Sequence, residues 1–144
     1  MDPKLILVVD DAEPTLILLH QVLLHLGHKV VLASNGNEAV AQAARHRPDL
    51  ILLDVRIPGE DPRETMRSLA RDGWAATTPV VALTPREEDD AALGDGYAGV
   101  VRKPVALPAL VSTLRSCFEH GPDGGPAAAN GKAMGAMVAE PPLA

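Results

Sequence analysis

Three aspartates, a threonine and a lysine are the residues of this chain best suited to chemistry. They are the pair Asp10-Asp11, Asp54 inside Leu-Leu-Asp-Val-Arg-Ile-Pro-Gly, Thr84 after Val-Val-Ala-Leu, and Lys103 in Lys103-Pro104. Carboxylates brought together repel one another, so a cluster of three calls for a hard divalent cation, with Mg²⁺ the expected one, which takes oxygen ligands and keeps waters for a phosphate to replace. Hydroxyl and ammonium groups are donors matched to phosphoryl oxygens. The set is that of a phosphoryl-transfer site with a carboxylate, Asp54, as the nucleophile.

For these groups to meet, the elements before them must deliver them to one edge. Residues 50–53, Leu-Ile-Leu-Leu, are too short for a helix and suited to a strand buried on both faces, and that strand runs directly into Asp54. Pro58-Gly59 then turns the chain away. The same alternation recurs along the sequence. Strands are expected over residues 4–9, 29–33, 50–53, 79–83 and 99–102, and helices over 16–26, 37–46, 62–71, 87–93 and 107–118. Pro14, Pro62 and Pro108 suit first helical turns, and Gly27 and Gly94 suit helix ends. In the last helix the expected core positions are Leu107, Leu110, Val111, Leu114 and Phe118. In the first they are Leu19, Val22, Leu23 and Leu26, which leaves Ile17, Leu18 and Leu24 without an assigned contact.

Strands alternating with helices imply an α/β fold, a parallel sheet with right-handed crossovers and helices on both faces. The strand ends then deliver Asp10 and Asp11, Asp54, Thr84 and Lys103 to one rim, where open α/β sheets place their chemistry.

The bounds of the chain agree. Its 144 residues suit one domain able to bury about two-thirds of its unfolded surface. A net charge of −6 and only three aromatic residues, Trp74, Tyr97 and Phe118, argue against a nucleic-acid face or an acidic-membrane surface. The single Cys117 allows no internal disulfide and reads as a small core residue. The five histidines lack ligand spacing and read as structural or solvent-facing. No leader or transmembrane run is recognised, so a cytoplasmic protein is expected. From residue 121 onward Gly, Pro and Ala dominate without apolar periodicity, so residues 1–120 are expected to fold and 121–144 to form a flexible tail.

With these residues in this order, the chain over residues 4–120 resembles the receiver domains of two-component response regulators. The resemblance implies a flavodoxin-like doubly wound five-stranded sheet of order 2-1-3-4-5. It implies that Asp54 accepts a phosphoryl group from a histidine kinase or histidine phosphotransfer protein, assisted by Lys103 and Thr84. Mg²⁺ would be held by Asp11, Asp54 and the backbone carbonyl of Arg56, with Asp10 bound largely through water. A cis peptide before Pro104 is also implied, as is an activity limited to self-phosphorylation and autodephosphorylation at Asp54 rather than enzymatic turnover. The expected role is a stand-alone phosphorelay component that signals through phosphorylation-dependent binding of a downstream protein.

Two positions depart from the family pattern. Val100 stands where the resemblance implies a Tyr or Phe that moves with the threonine, leaving Tyr97 as the nearest substitute. Pro85 follows Thr84 and offers no N–H to a phosphoryl oxygen. A second reading, a receiver-like interaction module that works without phosphorylation, therefore stays open. An Mg²⁺-dependent phosphohydrolase ranks below both, because no second catalytic acid or substrate pocket is evident.

Overall fold

The structure, a computed structural model, describes residues 2–71, 77–85 and 96–120. The expected helix over 87–93 and the tail over 121–144 lie outside the described residues.

Short Val/Leu/Ile runs with no polar face can satisfy their backbone only in a sheet covered on both sides. They form five strands, β1 (Leu5–Val9), β2 (Lys29–Ala33), β3 (Leu50–Asp54), β4 (Val80–Thr84) and β5 (Gly99–Arg102). All pairings are parallel, in the order β2-β1-β3-β4-β5. Every residue of β3 and β4 is buried, which suits strands in the middle of the sheet.

Among the described residues three helices lie between strands, α1 (Glu13–His25), α2 (Gly36–His46) and α3 (Pro62–Arg71), and a fourth, α4 (Leu107–His120), follows β5. Strand alternation divides the core in two. Leu7, Val9, Ile51, Leu53 and Ala82 face a layer with Ala39 and Ala43 of α2 and Leu69 of α3. Ile6, Val8, Leu50, Leu52 and Val81 face a layer with Leu19 and Leu23 of α1 and Leu110, Leu114 and Cys117 of α4. Each fully buried Leu or Ile contributes about 1.5–3 kcal/mol of transfer free energy, so these two layers supply most of the drive to fold.

Cys117 is a buried core residue, as its type suggested. Leu107 is a correction: it is 50 % exposed rather than part of the core. As the first residue of α4 it lies a turn ahead of the part that covers the sheet, and Val105 packs against the core instead. The buried stripe of α4 is Leu110, Thr113, Leu114 and Cys117. In α1, Ile17, Leu18 and Leu24 are each about half exposed, and Leu19 and Leu23 are fully buried.

The end of α1 shows how local sequence sets a corner. Gly27 adopts φ +97°, and His28 N–H and Gly27 N–H donate to the Leu23 and Leu24 carbonyls at 3.0 and 2.9 Å, closing the helix in a Schellman motif. His28 follows, nearly buried, with its Nδ1 accepting the Lys4 amide at 3.1 Å and its ring 5.9 Å from that of Phe118. Burial, with help from the Lys4 charge, lowers its pKa below the usual 6.5.

His28 therefore stays neutral in the fold at pH values where the unfolded chain would protonate it. Stability is complete above about pH 6.5 and is lost as pH falls below it. Urea denaturation is expected to show lower stability at pH 5.5 than at pH 7.5, with part of the difference from this residue. His28→Gln should shrink that difference, and an unchanged difference would show that other groups carry the acid sensitivity.

Candidate functional site

The carboxyl ends of β1, β3, β4 and β5 meet at one rim. Two expected strands extend one residue further than their apolar runs, so Asp54 closes β3 and Thr84 closes β4 as strand residues. That register ties both to the sheet. Thr84 is fully buried, and its carbonyl accepts the Lys103 amide at 3.0 Å.

Asp10 follows β1 and is fully buried, whereas Asp11 beside it is exposed. Asp10 is anchored twice: its amide donates to the Ala33 carbonyl at 3.1 Å, and its Oδ1 accepts the Ala12 amide at 2.8 Å. Asp54 is 3 % exposed, and its Oδ1 accepts the Arg56 amide at 2.8 Å. Lys103 joins the two acids, with Nζ 2.6 Å from Asp10 Oδ2 and 3.3 Å from Asp54 Oδ2. The Lys103–Pro104 peptide is cis.

One carboxylate oxygen from each of Asp10, Asp11 and Asp54 lies within 4.8 Å of the others. Three carboxylates against one ammonium leave a net charge of −2 when all are ionised. Oxygen donors at that spacing, with that deficit, fit a hard divalent cation.

The electrostatics follow from burial. Desolvation, reinforced by the Asp10 charge, raises the Asp54 pKa from 3.8 to about 6 despite the Arg56 amide and Lys103, which stabilise the carboxylate. For Lys103, burial pulls the pKa down, but Asp10 and Asp54 together outweigh it and hold the ammonium above the usual lysine value.

Asp10, Asp11, Asp54 and Lys103 are thus brought together, with Thr84 next to them at the end of β4. Arg56 is exposed, and its backbone amide donates to Asp54. Tyr97 precedes β5 and is buried in the layer shared with α2 and α3, where Val100 also packs. Its hydroxyl has no hydrogen-bond partner among the described residues, and burial pushes its pKa up to about 12.

One contributor was not foreseen. Glu60, six residues past Asp54, lines the same narrow crevice as Asp54, together with Leu53, Val55, Ile57, Pro62 and Thr65. Its only signal in the sequence was a carboxylate placed directly after the Pro58-Gly59 turn.

A doubly wound parallel sheet of order 2-1-3-4-5 with helices on both faces defines a flavodoxin-like α/β domain. The chain belongs to the response regulator receiver domain family, which residues 6–115 match, and so to two-component signalling. It is 32 % identical over 114 residues to the protein PilH of Pseudomonas aeruginosa, covering 77 % of this chain and 94 % of PilH. It is 29 % identical over 117 residues to the polar-differentiation response regulator DivK of Brucella anthropi, covering 79 % and 95 %. The chemotaxis response regulator CheY4 of Vibrio cholerae has a similar structure, with a TM-score of 0.70 at 27 % identity over 78 % of this chain and 97 % of that one. No helix among the described residues is long and apolar enough to cross a membrane.

Proposed function

We propose that this chain is a stand-alone cytoplasmic receiver that takes a phosphoryl group onto Asp54 from a histidine kinase or phosphotransfer protein. It then signals by binding a downstream protein. The observation that carries this reading is the lysine bridge: one ammonium spans two buried carboxylates while a third stands exposed beside them. A structural ion pair would need only one acid.

In the transfer, the Asp54 carboxylate attacks the phosphorus of a phosphohistidine in line. An O–P bond forms as the P–N bond breaks, and the imidazole leaves with the electron pair. The Arg56 amide fixes the orientation of the attacking carboxylate. Lys103 offsets charge on the transferred group, and Thr84 supplies a hydroxyl to it. Asp10, Asp11, Asp54 and the Arg56 carbonyl would hold Mg²⁺, which when bound neutralises further charge on the phosphoryl oxygens. Incubation with Mg²⁺ and acetyl phosphate, followed by intact-mass measurement, tests the reading: one added phosphoryl group, absent from Asp54→Asn, is the expected result.

A second reading, an interaction module that works without phosphorylation, is favoured by Val100 and Pro85. Val100 has no ring to follow Thr84, and Pro85 has no N–H to offer. The same incubation decides between the two, because such a module would remain unlabelled at millimolar Mg²⁺.

Donor docking would use the half-exposed apolar residues of α1. Ile17 and Leu18 are each 49 % exposed on a helix whose Leu19 and Leu23 are fully buried, so they leave apolar surface in water among the described residues. The double change Ile17→Ala, Leu18→Ala should slow phosphotransfer from the cognate donor about tenfold and leave labelling by acetyl phosphate unchanged. Loss of both, or unfolding, would instead assign these residues to the structure of the domain.

A further inference from the structure

Past Asp54 the chain must turn back into α3, and both ends of that connection are tied. Near the site, the Val55 amide donates to the Leu83 carbonyl at 3.1 Å and the Arg56 amide to Asp54 at 2.8 Å. At the far end Asp61 caps α3, accepting the Arg63 amide on its side chain at 2.9 Å and the Thr65 amide on its carbonyl at 3.3 Å. Between them lies a turn closed by Glu60 N–H on the Ile57 carbonyl at 3.1 Å.

The turn is held from outside by Glu60. Its Oε1 accepts the Gly36 amide, the first of α2, at 2.9 Å, across 24 residues of sequence. The first turn of α2 is built to leave that amide available: the Asn35 side chain takes the Glu38 amide at 2.8 Å, and Gly36 N–H points outward. A positive helix end also favours a carboxylate. The approach is close: a Cβ on residue 36 would lie 2.6 Å from Thr65 Oγ1 and 2.9 Å from Glu60 Oε1, so both side chains would have to shift. Glu60 and Asp54 line one crevice.

We propose that Glu60 is a positioning residue for the Asp54 site, strapping the 55–61 connection to the start of α2 so that the Arg56 backbone stays fixed against the Asp54 carboxylate. The consequence for metal and phosphoryl binding rests on the receiver reading above; the strap itself does not.

Four variants test it at a temperature well below melting: Glu60→Ala, Glu60→Gln, Gly36→Ala and Asn35→Ala. The readouts are Mg²⁺ affinity by titration calorimetry and hydrogen exchange at the Arg56 amide. Glu60→Ala removes the acceptor, and Gly36→Ala displaces it while favouring the helix intrinsically. Both should weaken Mg²⁺ binding about three- to tenfold and speed Arg56 exchange about tenfold. Glu60→Gln keeps an acceptor oxygen and should stay within about twofold of wild type. Asn35→Ala weakens the same helix end without touching the connection and should leave both readouts near wild type.

Wild-type values in Glu60→Ala would overturn the strap. So would Asn35→Ala matching it, or Glu60→Gln failing to restore. If the wild type shows no Mg²⁺ binding sensitive to Asp11→Asn, the metal reading fails. Arg56 exchange then decides the strap alone, accelerated in Glu60→Ala if it exists and unchanged if it does not.

Discussion

Asp54→Asn is expected to abolish phosphoryl incorporation from acetyl phosphate, by at least about a hundredfold, and at the same time to raise the melting temperature at pH 7.5 without divalent cations. The first effect follows from chemistry: a carboxamide of the same size is no nucleophile for phosphorus, so the site survives but the acceptor does not. The second follows from burial. The wild-type protein keeps an ionised carboxylate 3 % exposed, next to Asp10, and the two share the ammonium of Lys103. Removing that charge relieves desolvation and repulsion together.

The sign with pH is determined by the direction of the Asp54 shift. Its folded pKa, about 6, lies above the ordinary 3.8, so the fold favours the protonated acid. Relative to a residue that does not titrate, Asp54 contributes most stability below about pH 4, and that contribution is lost as pH rises through about 6. The advantage of Asp54→Asn should thus be near zero at pH 4 and complete by pH 7. After discounting for its coupling to Lys103, it is worth on the order of 1–2 kcal/mol, or about 3–6 °C. Mg²⁺ at millimolar concentration should stabilise the wild type and narrow the gap. Labelling of the variant at the wild-type rate would place the acceptor elsewhere, and a lower melting temperature at pH 7.5 would reject the burial argument.

The fold was legible because its strands are apolar on both faces, and that pattern has few other structural solutions. Runs such as Leu50-Ile51-Leu52-Leu53 announced a buried sheet, and the residue following each run announced the rim. What could not be read was depth and side-chain reach. Asp10 and Asp11 are equivalent as sequence, yet successive residues leave a strand end in different directions, so one is sealed under Lys103 and the other meets solvent. Leu107 obeys helical periodicity and is nonetheless half exposed, since periodicity describes a helix face but not where along the helix the sheet ends. Glu60 was invisible for a third reason. Its partner is a backbone amide 24 residues away, and only the folded arrangement of two crossovers brings them together.

Lys103→Ala tests the bridge itself and should produce the larger change in stability, here a loss. Its ammonium meets both Asp10 Oδ2 and Asp54 Oδ2, and the Asp10 carboxylate also accepts the Ala12 amide on Oδ1. Without it two buried carboxylates face one another unpaired, a situation that costs about 3–5 kcal/mol in a fully buried pair. The lysine side chain retains 22 % exposure, so water can enter where it leaves, and a loss of about 2–4 kcal/mol at pH 7.5 is expected in metal-free buffer. Lys103→Met, which keeps the apolar stem, should lose nearly as much, because the missing charge rather than the missing packing is responsible. The loss should shrink as pH falls through about 6, where Asp54 takes up a proton and no longer needs a counter-charge. Millimolar Mg²⁺ should restore part of it at neutral pH, since the same oxygens would then be neutralised by another cation. Both variants should also label slowly with acetyl phosphate despite an intact Asp54. A pH-independent loss, equal with and without Mg²⁺ and absent from Lys103→Met, would reduce Lys103 to a packing residue and remove the central support for phosphoryl transfer at this rim.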